Sequence, residues 1–173
     1  NTVTMTVTDA NGNVSTCTSI VTVSDAINSV ALCQDITVQL DAAGSATITA
    51  SDVDGGSPAA CGPLTLSVDI SSFDCSSVGP NTVTLTATDV NGNAGTCTST
   101  VTVEDNVSPD ALCQDITIQL DASGAATITE ADVNAGSADA CGLANVSIDI
   151  TSFDCAAIGP NTVSLTVEDN NGN

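Results

Sequence analysis

Sliding the sequence by 80 positions lays "NTVTMTVTD" at residue 1 over "NTVTLTATD" at 81 and "NTVSLTVED" at 161. The same shift lays "ALCQDITVQLDAAGSATIT" at 31 over "ALCQDITIQLDASGAATIT" at 111, and "SSFDCSSVGP" at 71 over "TSFDCAAIGP" at 151. Such self-similarity makes each period one structural unit stacked on its neighbours. The first and last 13 residues are the same piece of the period, so the sequence reads as an excerpt from a longer array. The strand pattern breaks at "SDAINSV" (24–30) and "EDNVSPD" (104–110), which mark the joints. The expected division is 1–26 as the C-terminal strands of a first repeat, 27–106 as a complete repeat, and 107–173 as a third repeat lacking its last strand.

Within the complete copy the hydrophobic period is two, the mark of half-buried strands. Val83, Leu85 and Ala87 alternate with threonines; Ile36, Val38 and Leu40 alternate with Thr37 and Gln39; Leu64, Leu66, Val68 and Ile70 alternate with Thr65, Ser67 and Asp69. "SATIT" at 45, "TSTVTV" at 98 and a short piece around Phe73 complete six or seven strands, and no helical stretch stands out. The expected fold is all-β, a tandem array of immunoglobulin-like β-sandwich repeats of about 80 residues. In that topology the "DVNGN" hairpin of one repeat lies beside the linker arriving from the repeat before.

The chain contains no Lys, Arg or His against 21 Asp and Glu. Nucleic acid and anionic membrane are excluded as partners, since both are held by basic side chains. The same absence removes the usual general bases, Schiff-base lysines and phosphate clamps. A two-carboxylate glycosidase remains formally open, but only Phe73 and Phe153 could wall a sugar cleft. The reading is a non-enzyme. At 42% hydrophobic residues the chain should fold, and it holds no apolar run long enough to span a bilayer.

Each repeat carries four cysteines, Cys33, Cys61, Cys75 and Cys97 in the complete copy, recurring as Cys113, Cys141 and Cys155, with Cys17 left from the first. Even, regular spacing without a CxxC reads as a disulfide framework from an oxidising compartment. Four cysteines allow three pairings. First and last strands running side by side favour Cys33 with Cys97, leaving Cys61 with Cys75 and, one period on, Cys141 with Cys155. Cys17 and Cys113 then take partners outside the sequence. Cys33 is out of phase with Ile36, Val38 and Leu40, so a bulge or sheet switch is needed between them.

"DANGN" at 9–13 returns as "DVNGN" at 89 and "DNNGN" at 169. Asn-Gly alone signals a two-residue hairpin turn in which both residues take positive φ. Oxygen-bearing residues at alternate positions also open calcium loops. Asp9, Asn11 and Asn13, with Asp89, Asn91, Asn93 and Asp169, Asn171, Asn173, are therefore candidate Ca²⁺ ligands. The linkers add Asp25, Glu104 and Asp105, and the loop after the second strand adds Asp52 and Asp54, or Glu130, Asp132 and Asp139. The expectation is a structural calcium ion between a hairpin and the preceding linker. N-x-[ST] at Asn13, Asn106 and Asn145 recurs at no matching place and reads as chance.

Taken together, "TATDVNGN", a cysteine opening the last strand, "VTVEDNVSP" at the joint and "DACG" at 139–142 resemble the hyalin repeat (HYR) family. The likeness is greatest to the long arrays in giant surface proteins of Bacteroidetes-type bacteria. It covers the whole chain, although Cys33-Gln34 and Cys113-Gln114 stand where the family usually has Cys-Pro. The resemblance implies tandem immunoglobulin-like modules of a cell-surface, extracellular adhesin or fibre, whose partners are neighbouring repeats and, through lateral association, other filaments. The alternative is an adhesive module that binds glycan or protein through its loops. The copies differ most at "DVDGGSPAACGPLTLS" and "DVNAGSADACGLANVS", where a ligand preference would sit.

Overall fold

Threonine alternating with valine and leucine suits a pleated surface buried on one side, and the longest strands form there. The computed structural model describes residues 1–173. In chain order the elements are β1 (Thr2–Thr8), β2 (Val14–Ile20), β3 (Ile36–Gln39), β4 (Ser45–Thr47), α1 (Ala50–Val53), β5 (Thr65–Val68), β6 (Ser72–Asp74), β7 (Gly79–Thr88) and β8 (Ala94–Glu104). They continue with β9 (Ala125–Thr127), α2 (Glu130–Val133), β10 (Leu143–Ile148), β11 (Ser152–Asp154) and β12 (Leu165–Asp169). The fold is all-β with two single-turn helices.

The middle repeat builds a four-stranded sheet in the order β3-β8-β7-β5 and a two-stranded sheet β4-β6. β3 runs parallel to β8, with Ile36 opposite Val101 and Val38 opposite Val103. The other pairs are antiparallel. Val83, Leu85, Val101 and Val103 from the larger sheet form one core with Leu40, Ile48, Val53 and Phe73. Each such fully buried side chain contributes about 1.5–3 kcal/mol.

The phase change after Cys33 is a change of partner. Cys33 bridges Asp54, Gln34 donates its N–H to Val53 and its carbonyl accepts from Ser99 Oγ at 2.6 Å. Two residues later the chain pairs with β8. Ser99 is 2% exposed, so this hydrogen bond fixes the crossing from inside the core.

α1 and α2 run against the expectation of no helix. "TASD" and "TEAD" are capping boxes: Asp52 Oδ2 accepts the Thr49 N–H at 2.6 Å and its hydroxyl at 2.8 Å, and Asp132 does the same for Thr129. A threonine followed three residues later by a carboxylate carries that signal.

The outer pieces show what a repeat needs. β1 and β2 pair along their whole length, Thr2 opposite Ile20 to Thr8 opposite Val14, yet Val3, Met5, Val7 and Val14 are each more than half exposed for want of a covering sheet. In the third repeat β10 pairs with β12 and β9 with β11. Residues 116–119, the counterpart of β3, form no strand because no counterpart of β8 lies beside them. A groove of about 880 Å³ stands there, lined by Ile116, Ile118, Leu120, Phe153 and Val163 among others.

Candidate functional site: the joint between repeats

The recurrent hairpin closes on itself. Asp9 N–H donates to the Asn13 carbonyl at 2.9 Å and Gly12 N–H to the Asp9 carbonyl at 3.1 Å. Asp9 Oδ1 accepts the N–H of both Asn11 and Asn13 at 2.8 Å, and Oδ2 accepts the Asn13 amide at 2.8 Å. Asp89 with Asn91 and Asn93, and Asp169 with Asn171 and Asn173, repeat the pattern. The loop therefore has three residues rather than two. Only its glycine takes positive φ, Gly12 at 86° and Gly92 and Gly172 at 89°, while the asparagine before it does not. This is the three-residue hairpin with a left-handed glycine. It accounts for the aspartate before and the asparagine after, which a two-residue turn does not. "DAAGS" and "DASGA" use the same device, with Asp41 and Asp121 capping the N–H groups of Ala43, Ser45, Ser123 and Ala125.

These contacts set the carboxyl pKa values. The Asn13 side-chain amide, then its backbone N–H, holds Asp9 below the usual aspartate range. Asp89 is lowered first by the Asn93 amide. Burial pushes Asp169 up, but the Asn173 amide and the N–H groups of the loop outweigh it. A carboxylate that accepts several N–H bonds needs no cation to remain ionised. Much of the chain's acidity is spent in this way, and no buried side-chain nitrogen or oxygen lacks a partner.

The middle asparagine is left over, and it reaches across the joint. Asn91 donates to Asp25 Oδ2 at 3.2 Å, and Asn171 to Asp105 Oδ2 at 2.9 Å. Asn173 also donates to the Asp105 carbonyl, and Ser29 Oγ to the Asn93 carbonyl, each at 3.0 Å. Gly95 presses on the Ser29 carbonyl so closely that a methyl group there would overlap it. The hairpins at 89–93 and 169–173 thus each lie on the linker arriving from the repeat before. The Asp25 carboxyl is lowered first by the Ile27 N–H and then by the Cys61 thiol, whose own pKa is raised by that contact.

Of the other candidate ligands, Asp52 and Asp132 are helix caps, and Asp54 accepts the Ser57 N–H at 2.9 Å and its hydroxyl at 2.5 Å. Glu104 accepts the Gln39 amide at 2.6 Å. The acidic group brought together is Asp105, Asp139 and Cys141, whose ligand atoms lie within 4.8 Å of one another. Asp105 Oδ1 accepts the Val107 N–H, and Asp139 Oδ1 the Cys141 N–H at 2.6 Å. The Cys141 sulfur is bound in a disulfide. Two carboxylates and a disulfide sulfur fall short of the six to eight oxygens calcium takes. Position 59 in the preceding joint is alanine where 139 is aspartate. These three residues alone do not complete a calcium ion's ligand set.

Cys33 joins Cys97, with Cα atoms 5.8 Å apart. The second bridge corrects the expected pairing of Cys61 with Cys75 and Cys141 with Cys155. Cys75 of the middle repeat joins Cys141 of the third, Cα atoms 5.1 Å apart and 66 residues apart in sequence, while Cys61 and Cys155 are exposed free thiols. The reason is placement: the "DACG" loop is held on its own repeat's hairpin, where Asn170 donates to the Cys141 and Gly142 carbonyls, and from there Cys141 reaches the turn after β6 in the repeat before. Cys17 and Cys113 are also free and exposed. Two disulfides belong to an oxidising environment, and no helix is long and apolar enough to cross a membrane. Comparison with family models, curated proteins and solved structures finds no match.

Proposed function

We propose that the chain is a non-enzymatic structural segment: consecutive immunoglobulin-like sandwiches of an extracellular, cell-surface stalk or fibre of an adhesin, stiffened at its joints by disulfides. The observation that carries this reading is the Cys75–Cys141 bond, which ties one repeat to the next. In the chain-entropy model a bridge closing a loop of this length contributes about 4 kcal/mol. Here it also limits how far two repeats can bend, which is a stalk's task. The strand order β3-β8-β7-β5 with β4-β6 opposite supports the sandwich assignment, and the hairpin on the linker supports a defined angle at each joint. Lateral association into filaments belongs to the same reading.

In this reading the bridge and the Asn–Asp contacts supply the stiffness. The variable loop points the same way: Asp139 and Cys141 lie in the joint, so its divergence between copies reflects packing between repeats more than choice of ligand. The test is small-angle X-ray scattering of the oxidised chain against a Cys75→Ser/Cys141→Ser variant, together with a glycan array. The stalk reading expects a narrow distance distribution that broadens in the variant, and no glycan bound. Equal distributions, or specific binding through the loops, would replace it with the adhesive-module reading.

A further inference from the structure

The residue that the recurrent hairpin sends across the joint is an asparagine followed by glycine, at 91–92 and again at 171–172. Asn-Gly is the pair in which a backbone nitrogen most readily attacks the preceding side-chain amide, because glycine places no side chain in the path. Asn91 and Gly92 are both exposed, and a methyl group on Gly92 would meet nothing within 4 Å, so water has open access to them.

Two hydrogen bonds restrain the reaction. Gly92 N–H donates to the Asp89 carbonyl at 3.1 Å, which occupies the attacking nitrogen. The Asn91 amide donates across the joint to Asp25 Oδ2 at 3.2 Å, which ties down the group under attack. Asn93 in the same hairpin is held more firmly. Its amide lies on Asp89 Oδ2 at 2.9 Å, and its successor is Ala94, whose methyl group crowds the nitrogen.

We propose that Asn91 is a modification site of the joint: it deamidates spontaneously when its contact with Asp25 opens, and the carboxylate formed keeps that contact from closing again. A donor becomes an acceptor facing an acceptor, and two like charges stand where a hydrogen bond stood. The chain holds no Lys, Arg or His to offset the new charge. The Asp25 carboxyl, lowered chiefly by the Ile27 N–H, already feels the Asp89 charge in the opposite sense. The change is one-way, so it records the time the joint spends open.

The step needs only water. Hydroxide removes the Gly92 N–H proton, and the nitrogen bonds to Asn91 Cγ. The Cγ–Nδ2 bond breaks, and Nδ2 takes a proton from water and leaves as ammonia, giving a cyclic succinimide. Water then opens the ring at either carbonyl, yielding aspartate, or isoaspartate in which the main chain runs through the side-chain carbon. One water is consumed and one ammonia released.

The test incubates the full chain, both bridges intact, in mildly alkaline buffer and follows residue 91 by peptide mapping with mass spectrometry. Slow conversion at Asn91 and none at Asn93 is expected. Asp25→Ala should speed conversion at Asn91 about fivefold, and unfolding in urea should speed it further. Conversion indifferent to Asp25→Ala, or absent from both folded chains, would overturn the proposal. A second arm needs no ageing. Asn91→Asp should speed amide hydrogen exchange across residues 25–31 about fivefold, and the double variant Asp25→Asn/Asn91→Asp, which interchanges donor and acceptor, should restore it. Unchanged exchange in the single variant, or no recovery in the double, would equally overturn it. Neither arm reads the Cys75–Cys141 bond, so this proposal and the stalk reading fail separately.

Discussion

The Asn171 side-chain amide donates to Asp105 at 2.9 Å across 66 residues of sequence, and Asn91 donates to Asp25 at 3.2 Å across the same separation. One contact formed at two successive joints is a property of the period, not of either site. The two differ in burial: Asp105 is 7% exposed, whereas Asp25 is only half-buried. Asn171→Leu strands a buried acceptor and should lower stability by about 1–3 kcal/mol. Asn91→Leu, whose partner water can reach, should cost less. Melting followed by far-ultraviolet circular dichroism checks both, and an equal cost would contradict the burial argument.

The core lies in the middle repeat. Leu85 is fully buried between the sheets, while Val3 in β1 is 54% exposed. Leu85→Ala should cost about 2–5 kcal/mol, and Val3→Ala no more than about 0.5 kcal/mol, as for surface substitutions. Denaturant titration of the two variants gives the comparison directly.

Stability should fall in acid. Asp9, Asp52, Asp69, Asp89, Asp132 and Asp169 all lie below their unfolded value of 3.8, held there chiefly by N–H and amide donors. A carboxyl lowered in the folded state contributes stability above its unfolded pKa and loses it as pH falls through the folded one. The unfolding free energy should therefore decline from about pH 4 downward. Relief of the mutual repulsion among 21 carboxylates acts in the opposite sense. A free energy flat or rising from pH 4 to 2 would show that repulsion outweighs the loops.

Removing divalent cations should leave the joints intact. Each hairpin aspartate is already satisfied by the loop's own N–H groups. At about 0.15 M sodium chloride, where diffuse charge effects are screened, melts in about 1 mM calcium and in chelator should agree within about 2 °C. An ion held at twenty times its dissociation constant would instead add about 1.8 kcal/mol per site, on the order of ten degrees for a repeat of this size.

Period-two alternation located β3, β5 and β7 of the middle repeat, because side chains facing a sheet core must alternate whatever the tertiary detail. Cys33 with Cys97 was also legible, since parallel first and last strands bring those positions together. The capping boxes at Thr49 and Thr129 were in the sequence but are one turn long, too short for helical periodicity to register. The capping role of Asp9, Asp89 and Asp169 was not legible, because an aspartate that caps its own loop and one that binds calcium occupy the same spacing. What separates them is whether the oxygens face inward to N–H groups. The Cys75–Cys141 bond was out of reach, since pairing within a repeat and pairing between repeats use the same four cysteines.

The most direct measurement is a disulfide map of the oxidised chain. Trypsin has no site to cut, so the digest uses pepsin or an aspartate-directed protease, followed by mass spectrometry without reductant. The account predicts a peptide containing Cys75 joined to one containing Cys141, beside the Cys33–Cys97 pair. Cys75 joined to Cys61, with Cys141 joined to Cys155, would confine every bridge to its own repeat and contradict the covalently tied joint.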